Sequence, residues 1–193
     1  MIRAVIFDFF SVIMPDIYEP LIANAAQVSP ELADSIKKEI NQYLFGIYNF
    51  KELIRSLEII FRTKEIPTAS LKIDMSELPT EIIDIARQLH MHFLKVSIIG
   101  NIGNQEIELL TDFDKEKHEF ELIAGPGNFG EPLLSNSFFE SALNAIGEPP
   151  QNCLLISGHY DYIEFAKSIG LKTMHFTNYD IFNNEIWQYL KLN

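Results

Sequence analysis

Residues Ile2–Ile13 have the sequence IRAVIFDFFSVI, the stretch that does most to decide the fold. Its apolar run, Ala4–Phe7, is typical of a strand buried on both faces, and the run ends at an acidic residue, Asp8. Helical patterns separate it from four similar apolar runs later in the chain. These runs are Val96–Ile99, Phe120–Ala124, Leu154–Ser157 and Thr173–Phe176. The sequence therefore predicts an α/β fold with a doubly wound, Rossmann-like sheet of five parallel strands.

The segments between these strands carry the apolar spacing and the end signals of helices. Helices are predicted at Leu78–Phe93, at Ser137–Ile146 with Gly147 after it, and at Asn184–Leu192. Asp161 and Glu164 have capping-box spacing, which predicts a further helix that runs through Ala166 and stops at Gly170. Each predicted helix is long enough to cover one face of the sheet.

The first two strands are separated by far more residues than the dozen or so that a crossover needs. Two additional helices are predicted there, one from Ser29-Pro30 to Gly46 and one that begins at Asn49 with Glu52 in capping-box position. We interpret residues 15–75 as a small helical cap insert and residues 1–14 and 76–193 as the core domain. The insert is expected to lie over the carboxyl ends of the strands, where such sheets bind ligands.

Composition limits the class of function. The 193 residues have a mean hydropathy of +0.04 and a net charge of −12, which argues against nucleic acid or an anionic membrane as the main partner. No apolar run approaches the roughly 20 residues of a membrane span, and the first strand does not resemble a signal peptide. The one cysteine, Cys153, lies in an apolar run, so no disulfide is expected and we predict a cytoplasmic protein.

The opening stretch resembles that of the haloacid-dehalogenase-like (HAD-like) superfamily. The shared features are an apolar strand, an Asp at its end, two further residues and then a small residue paired with Thr or Val, here Ser11-Val12. The order of the insert, the second strand and the segment 157–170 extends the resemblance over nearly the whole chain. It implies a hydrolase in which Asp8 is the nucleophile that attacks phosphorus, or carbon in the dehalogenases, to form a covalent intermediate.

The first two motifs of that family are altered here. Phosphatase members carry a second Asp as general acid at the position of Phe10, whereas the dehalogenase branch has an aromatic residue there and needs no metal. The backbone carbonyl of Phe10 could still ligate Mg²⁺. The second motif ends its strand with Ser or Thr, and the matching residues here are Gly100 and Asn101. Asn101 and neighbouring amides remain able to hold an anion.

The third and fourth motifs are altered more severely. The third should supply a Lys or Arg, but the stretch Gly125–Ser137 contains neither, and Glu131 occupies the likeliest matching position. The fourth should supply metal-binding carboxylates, yet its positions hold Gly158 and Tyr162. Asp161, one residue out of register, is either a helix N-cap or a surviving metal ligand.

These changes define the expected site and function. Asp8 and Asp161 alone would make a weak Mg²⁺ site, so we expect no cofactor or a weakly bound Mg²⁺. His159 is either a solvated loop residue or an acid/base partner of Asp8. The sequence favours a catalytically impaired pseudoenzyme that binds a small molecule or a protein. The alternative is an active, divergent hydrolase in which Asp8 attacks and Asn101, His159 or Asp161 replaces the missing groups.

A glycine-rich segment follows the third predicted strand. The segment Gly125–Gly130 matches the dinucleotide-binding pattern Gly-x-Gly-x-x-Gly, but it follows the third predicted strand and not the first. The pattern is meaningful only inside a strand–turn–helix unit, so we interpret this segment as a flexible loop.

Overall fold

The computed structural model describes residues 1–62, 79–115 and 118–192. They form one sheet of five parallel strands in the spatial order β3-β2-β1-β4-β5. The strands are β1 (Ala4–Asp8), β2 (Lys95–Ile99), β3 (Leu122–Ala124), β4 (Cys153–Ser157) and β5 (Lys172–His175). The predicted fold class is therefore confirmed, with strand ends that differ by one or two residues from those expected.

Strand β1 lies at the centre of the sheet and decides where the chemistry could occur. It pairs with β2 through Ala4 opposite Lys95, and with β4 through Ala4 opposite Cys153. Alternate side chains of β1 enter two separate apolar clusters, because helices cover both faces of the sheet. Burial on both faces explains why the strand is continuously apolar up to Asp8.

Nine helices surround the sheet in the described part of the chain. They are α1 (Glu19–Val28), α2 (Pro30–Leu44), α3 (Phe50–Arg62), α4 (Thr80–Met91), α5 (Asn104–Asp114), α6 (Pro126–Phe129), α7 (Asn136–Ile146), α8 (Tyr160–Ser168) and α9 (Tyr179–Leu190). The sequence predicted α2, α3, α4, α7, α8 and α9, but missed α1, α5 and α6. Helix α9 begins earlier than predicted because the side chain of Asn178 accepts a hydrogen bond from the N–H of Ile181 (3.0 Å).

Helices α1–α3 form the insert between β1 and β2. The Ser29 hydroxyl accepts a hydrogen bond from the N–H of Leu32 (3.1 Å) and caps α2. Asn49 and Glu52 cap α3 reciprocally, as the capping-box spacing predicted. The predicted boundary between insert and core, at residues 75 and 76, lies outside the described residues.

The Gly125–Gly130 segment is not a flexible loop, so that prediction was wrong. It contains α6, whose start is held where the N–H of Gly125 donates to Asn128 Oδ1 (2.8 Å). A Cβ added at Gly125 would lie 2.0 Å from the carbonyl oxygen of Ile102, and one at Gly127 would lie 2.9 Å from that of Leu44. The glycines therefore permit close packing of backbone on backbone and do not form a cradle for a nucleotide.

Cys153 is fully buried as a free thiol, as predicted, and burial raises its pKa to about 12. Among the helices that the structure describes, none is both long enough and apolar enough to cross a membrane.

Candidate functional site

Three strand ends meet around Asp8 at the carboxyl edge of the sheet. Asp8 ends β1, Gly100 follows β2, and Ser157 ends β4. Since β1 pairs with both neighbours in parallel register, these residues are brought together by the sheet itself. The topology thus unites Asp8 with the positions that match the second and fourth motifs.

The chain leaves β1 through a wide turn at Phe9–Ile13. In this turn the N–H of Met14 donates to the carbonyl of Phe9 (2.9 Å), and that of Ser11 donates to the carbonyl of Met14 (2.8 Å). Ser11 has a φ of +81°, a left-handed conformation that costs a non-glycine residue on the order of 1–3 kcal/mol. Its hydroxyl offsets that cost, because it donates to Asp8 Oδ2 (3.1 Å) and accepts from the N–H of Gly158 (2.8 Å).

Asp8 is almost completely buried, with 1% of its surface exposed. Its Oδ2 accepts hydrogen bonds from the hydroxyls of Ser157 (2.6 Å) and Ser11 (3.1 Å), while Oδ1 has no hydrogen-bond partner within the described residues. Burial raises the pKa of Asp8 to about 8; the two serine hydrogen bonds oppose the shift and the nearby charge of Asp16 adds to it. Asp8 is therefore mostly neutral at pH 7, and a neutral carboxylic acid is a poor nucleophile.

Phe10 fills the position of the family's general acid with an aromatic ring. The ring is buried and packs edge-on against Phe9, at a centroid distance of 4.9 Å, and against Tyr18, at 5.5 Å. Both neighbours are themselves buried. Phe10 is thus part of the apolar core and contributes no acid or base to the site.

Two glycines occupy motif positions because neighbouring atoms leave no room for a side chain. A Cβ added at Gly100 would lie 2.8 Å from the Cβ of Phe9. A Cβ added at Gly158 would lie 2.9 Å from the Cβ of Ser11. Real Cβ atoms essentially never approach so closely, so neither the hydroxyl of the second motif nor the Asp of the fourth fits without a backbone shift.

The remaining motif positions bind each other. Asn101 Nδ2 donates a hydrogen bond to the hydroxyl of Tyr162 (2.7 Å), which stands where the fourth motif would place a carboxylate. Burial, with the nearby charge of Asp8, raises the pKa of the Tyr162 phenol well above its ordinary value. The Tyr162 phenol therefore stays neutral, and its hydroxyl is held near Asp8 by the hydrogen bond from Asn101.

His159 lies beside Tyr162 and the carboxylates of Asp16 and Glu19. Its ring packs against that of Tyr162 at a centroid distance of 5.1 Å, and its Nε2 lies 4.0 Å from Asp16 Oδ2. Its Nδ1 lies 3.9 Å from Glu19 Oε2, while its backbone N–H donates to the Ser157 hydroxyl (3.0 Å). The structure gives His159 no direct hydrogen bond to Asp8.

Asp161 lies in the first turn of α8 and does not cap the helix. The N-cap residue is His159, so the predicted capping box of Asp161 and Glu164 is wrong. The Glu164 carboxylate instead pairs with Lys167 (2.7 Å) on the exposed face of the helix. Asp161 lines an open cleft, and its carboxylate is directed to solvent rather than to the backbone.

This cleft, of about 510 Å³, lies between the insert and the carboxyl ends of the strands. The insert side contributes Asp16, Tyr18, Glu19, Ile22, Ala23, Lys37, Ile40, Asn41 and Leu44, and the core side contributes Asn101, His159, Asp161 and Tyr162. Asp8 is not among the lining residues. Of the lysines and arginines in the described chain, Lys37 alone lines the cleft, whereas three carboxylates, those of Asp16, Glu19 and Asp161, line it.

The described residues contain one group whose ligand atoms converge enough to hold a metal ion. It comprises Asp16, Glu19 and His159, with one atom of each lying within 4.8 Å of the others. The Oδ1 atom of Asp16 is already engaged by the N–H groups of Tyr18 (2.8 Å) and Glu19 (3.0 Å). The sequence prediction named Asp8 and Asp161 as metal ligands instead. Asp8 is buried and hydrogen-bonded to Ser157, and Asp161 lines the cleft.

A buried carboxylate joins the insert to the core beside the cleft. Glu106, near the start of α5, accepts hydrogen bonds from the hydroxyls of Tyr18 (3.2 Å) and Tyr43 and from the N–H of Gly103 (2.9 Å). Burial raises the pKa of Glu106, and the Tyr43 hydrogen bond opposes that shift. The ring of Tyr43 also occupies the space that a Cβ at Gly103 would need, with the nearest ring carbon at 2.4 Å.

Sequence reasoning missed several of these residues. Ser11 and Ser157 were not recognised as partners of Asp8, and Tyr18, Tyr43 and Glu106 were not recognised as a network. The spacing of Gly103 and Glu106 carried a weak signal, since a Glu three residues after a helix start often reaches back to a backbone N–H. Tyr18 and Tyr43 belong to the insert, and no local sequence pattern marks them as partners of Glu106.

Comparison with known proteins rests on structure. No protein-family profile matches the chain, and no curated protein matches it significantly. A predicted HAD-like family hydrolase from Porphyromonas gingivalis aligns over 100% of both chains, with a TM-score of 0.72 and 16% identity. A HAD family enzyme from Bacteroides thetaiotaomicron, solved in complex with magnesium and inorganic phosphate, covers 92% of this chain and 95% of its own. Its TM-score is 0.65 at 15% identity.

A dehalogenase shows the same likeness. The L-2-haloacid dehalogenase from Xanthobacter autotrophicus aligns over 97% of this chain and 83% of its own, with a TM-score of 0.58 and 15% identity. These likenesses confirm the resemblance predicted from Ile2–Ile13: the chain has the fold of the HAD-like hydrolases.

Proposed function

We propose that this chain, which has the HAD-like hydrolase fold, is a pseudoenzyme that binds a ligand without hydrolysing it. The observation that carries the proposal is the state of Asp8, which is buried, hydrogen-bonded by Ser11 and Ser157, and held toward its neutral form by burial. A nucleophilic carboxylate must be ionised and must touch its substrate. Burial favours the neutral form of Asp8, and Asp8 does not line the cleft, so both features disfavour its use as a nucleophile.

The charges around Asp8 support the same proposal. Phosphoryl transfer depends largely on positive groups that compensate the charge of the phosphate. The cleft presents three carboxylates, from Asp16, Glu19 and Asp161, against the single lysine Lys37. A phosphate dianion would therefore be repelled where an active enzyme attracts it.

The insert gives the scaffold a binding role. Its helices cover the carboxyl edge of the sheet and enclose the cleft of about 510 Å³, a volume within the range of sites for small molecules. We propose that insert helices α1–α3 act as a cap whose cleft accepts a neutral or cationic small molecule. Asp16 and Glu19 would recognise positive charge, and Asn101 with Tyr162 would supply hydrogen bonds.

We also propose that Mg²⁺ binds weakly or not at all at Asp8. Mg²⁺ requires a near-octahedral set of oxygen ligands, and Asp8 has one oxygen engaged by two hydroxyls. The neighbouring motif positions, Gly100 and Gly158, offer no side chain. Isothermal titration with MgCl₂ should show no site tighter than the millimolar range, and a tight site that disappears in Asp8→Asn would contradict this.

The test of the proposed function is an activity assay with a matched variant. Wild type and Asp8→Asn are assayed with p-nitrophenyl phosphate plus Mg²⁺, and with L-2-chloropropionate for dehalogenation. Both proteins should give rates equal to background. Phe10→Asp should restore little activity, because a proton donor does not supply the missing positive charge.

The alternative function is an active, divergent hydrolase that uses Asp8 as nucleophile. The closeness of the Tyr162 phenol and the Asn101 amide to Asp8 favours it, since these groups could orient a substrate. Wild-type turnover that Asp8→Asn abolishes would establish this alternative and reject the pseudoenzyme. Turnover that survives in Asp8→Asn would point to a contaminating enzyme.

A further inference from the structure

The opposite edge of the sheet carries a groove with a volume of about 720 Å³, larger than the cleft beside Asp8. It lies at the amino ends of the strands, beside Arg3 before β1, Leu94 before β2 and Lys172 at the start of β5. The end of α9 closes one side with Leu190 and Leu192. Asp8, at the far end of β1, is not involved in this groove.

The groove exposes an unusual amount of apolar surface. Phe93 at its rim has 96% of its surface exposed, and Tyr189 has 43%. Phe93 also has a φ of +61°, a conformation that is unfavourable for a bulky residue. A large side chain held in strained backbone and left in water contributes nothing to folding, whereas exposed aromatic residues of this kind commonly anchor protein partners.

The groove is positively charged, whereas the whole chain has a net negative charge. Its rim carries Arg3, Lys172 and Lys191, all exposed, and none of them takes part in an ion pair among the described residues. No Asp or Glu lies among the lining residues, although the chain has a net charge of −12. Three cations that make no ion pair within the described residues, around an apolar floor, complement a ligand that combines carboxylates with apolar side chains.

The groove is also preformed. The N–H of Phe93 donates to the carbonyl of His90 (2.8 Å), and that of Leu192 donates to the carbonyl of Trp187 (3.1 Å). On the strand side, the N–H of Lys95 donates to the carbonyl of Arg3 (2.9 Å). Because the backbone of each wall is hydrogen-bonded, little ordering is needed when a partner binds.

From these observations we infer that the groove, defined by Arg3, Phe93, Lys172, Tyr189, Leu190 and Lys191, docks an acidic, hydrophobic segment of a partner protein. The expected segment has one or two large apolar side chains flanked by Asp or Glu. The net negative charge of the whole chain disfavours nucleic acid and anionic membranes, which need a broad basic face rather than three cations. The inference goes beyond the proposed function and holds whether or not Asp8 is active.

A displayed library of random linear peptides provides the test. Wild-type protein is used for selection, and the enriched peptides are synthesised with a fluorophore and titrated by fluorescence anisotropy. Enrichment of Asp or Glu next to aromatic or aliphatic residues is expected. Phe93→Ser and Lys172→Glu should each weaken binding at least tenfold, and added salt should weaken the wild-type complex.

Matched variants distinguish the groove from the rest of the surface. Ile59→Ser replaces another exposed apolar residue and Lys51→Glu another exposed lysine, both on α3, and both should bind as wild type. Thermal melts of all variants should coincide, which excludes misfolding. No enrichment, enrichment of basic peptides, or binding that survives Phe93→Ser together with Lys172→Glu would overturn the inference. Binding of phosphatidylserine vesicles or single-stranded RNA that the same variants abolish would also overturn it.

Discussion

The two edges of the sheet differ in almost every property that makes a site. At the carboxyl edge, Asp8 is buried and hydrogen-bonded by Ser11 and Ser157, and the cleft above it is acidic. At the amino edge, Phe93 is exposed and the groove is apolar with unpaired cations. Parallel sheets usually bind ligands at the carboxyl edge. In this chain Asp8 at that edge is covered and the cleft beside it is acidic, whereas the groove at the opposite edge is apolar and carries cations.

The largest effect is expected when a second carboxylate is placed beside the buried Asp8. Gly158→Asp would restore a residue of the fourth motif, but its Cβ would meet Ser11 and its charge would lie beside Asp8. We expect the free energy of unfolding to fall by about 3–5 kcal/mol, measured by urea denaturation. Gly130→Asp is the control, because its Cβ has open space; it should cost about 1 kcal/mol for its positive φ. If Gly158→Asp and Gly130→Asp lower the free energy of unfolding equally, the space around residue 158 is able to accept a carboxylate.

A smaller effect comes from the buried acid itself. The pKa of Asp8 is raised from 3.8 to about 8, so the folded state holds this proton more tightly than the unfolded state does. This contribution to stability is greatest below pH 4 and declines as the pH rises toward 8. Asp8→Asn keeps the shape but has no proton to lose, so it should be more stable than wild type by roughly 3 kcal/mol at pH 6 and similar to it near pH 4.

Chemical denaturation at several pH values measures this difference. Glu185→Gln, on the exposed face of α9, is the control and should follow the wild-type profile throughout. If Asp8→Asn also parallels the wild-type profile between pH 4 and pH 8, Asp8 is an ordinary ionised carboxylate and the carboxyl edge is open to water.

The link between insert and core predicts a still smaller change. Tyr43→Phe removes one of the two tyrosine hydroxyls that hydrogen-bond to the buried Glu106 carboxylate, and the loss of a donor to a buried acceptor costs about 1–2 kcal/mol. Tyr189→Phe, at the rim of the opposite groove, should change stability by less than about 0.5 kcal/mol. Urea denaturation of both variants gives the comparison directly. A neutral Tyr43→Phe would mean that Glu106 does not hold the insert in place.

The smallest expected effects have opposite signs at the two edges. Phe93 and Ser11 both have positive φ, but only Ser11 makes hydrogen bonds through its side chain to Asp8 and Gly158. Phe93→Gly should raise the free energy of unfolding by about 0.5 kcal/mol, whereas Ser11→Gly should lower it by about 1 kcal/mol. Thermal melts resolve shifts of this size. A loss of more than about 1 kcal/mol in Phe93→Gly would show that the exposed ring supports the fold.

Sequence periodicity predicted the fold well because most elements bury continuous or regularly spaced apolar residues. Strands β1, β2 and β4 and helices α2, α3 and α7 are of this kind. Helix α5 was missed because two of its buried residues, Glu106 and Asp114, are acidic and interrupt the apolar pattern. Helix α1 was missed because it buries only Leu21 and Ala25 and has no side-chain N-cap. Helix α6 has four residues, about one turn, which is too short for an apolar pattern to repeat.

The resemblance to the motifs of the HAD-like superfamily singled out Asp8, Phe10, Gly100 and Asn101 as candidates, and their roles stay predictions. Their contacts could not be predicted from the sequence. Closure of the site depends on the approach of Phe9 to Gly100 and of Ser11 to Gly158, which are distant in the chain. No local pattern encodes such an approach, and the left-handed conformation of Ser11 is not one that its residue type favours.

The contact between Phe9 and Gly100 also bears on how this chain can evolve. Phe9 Cβ occupies the place where a side chain at residue 100 would begin, so a hydroxyl cannot be regained there by one substitution. The backbone around Phe9 would have to move first, and that move disturbs a buried ring with no immediate benefit. Residues 9 and 100 are therefore coupled, and a larger side chain at residue 100 is accommodated only together with a change at Phe9.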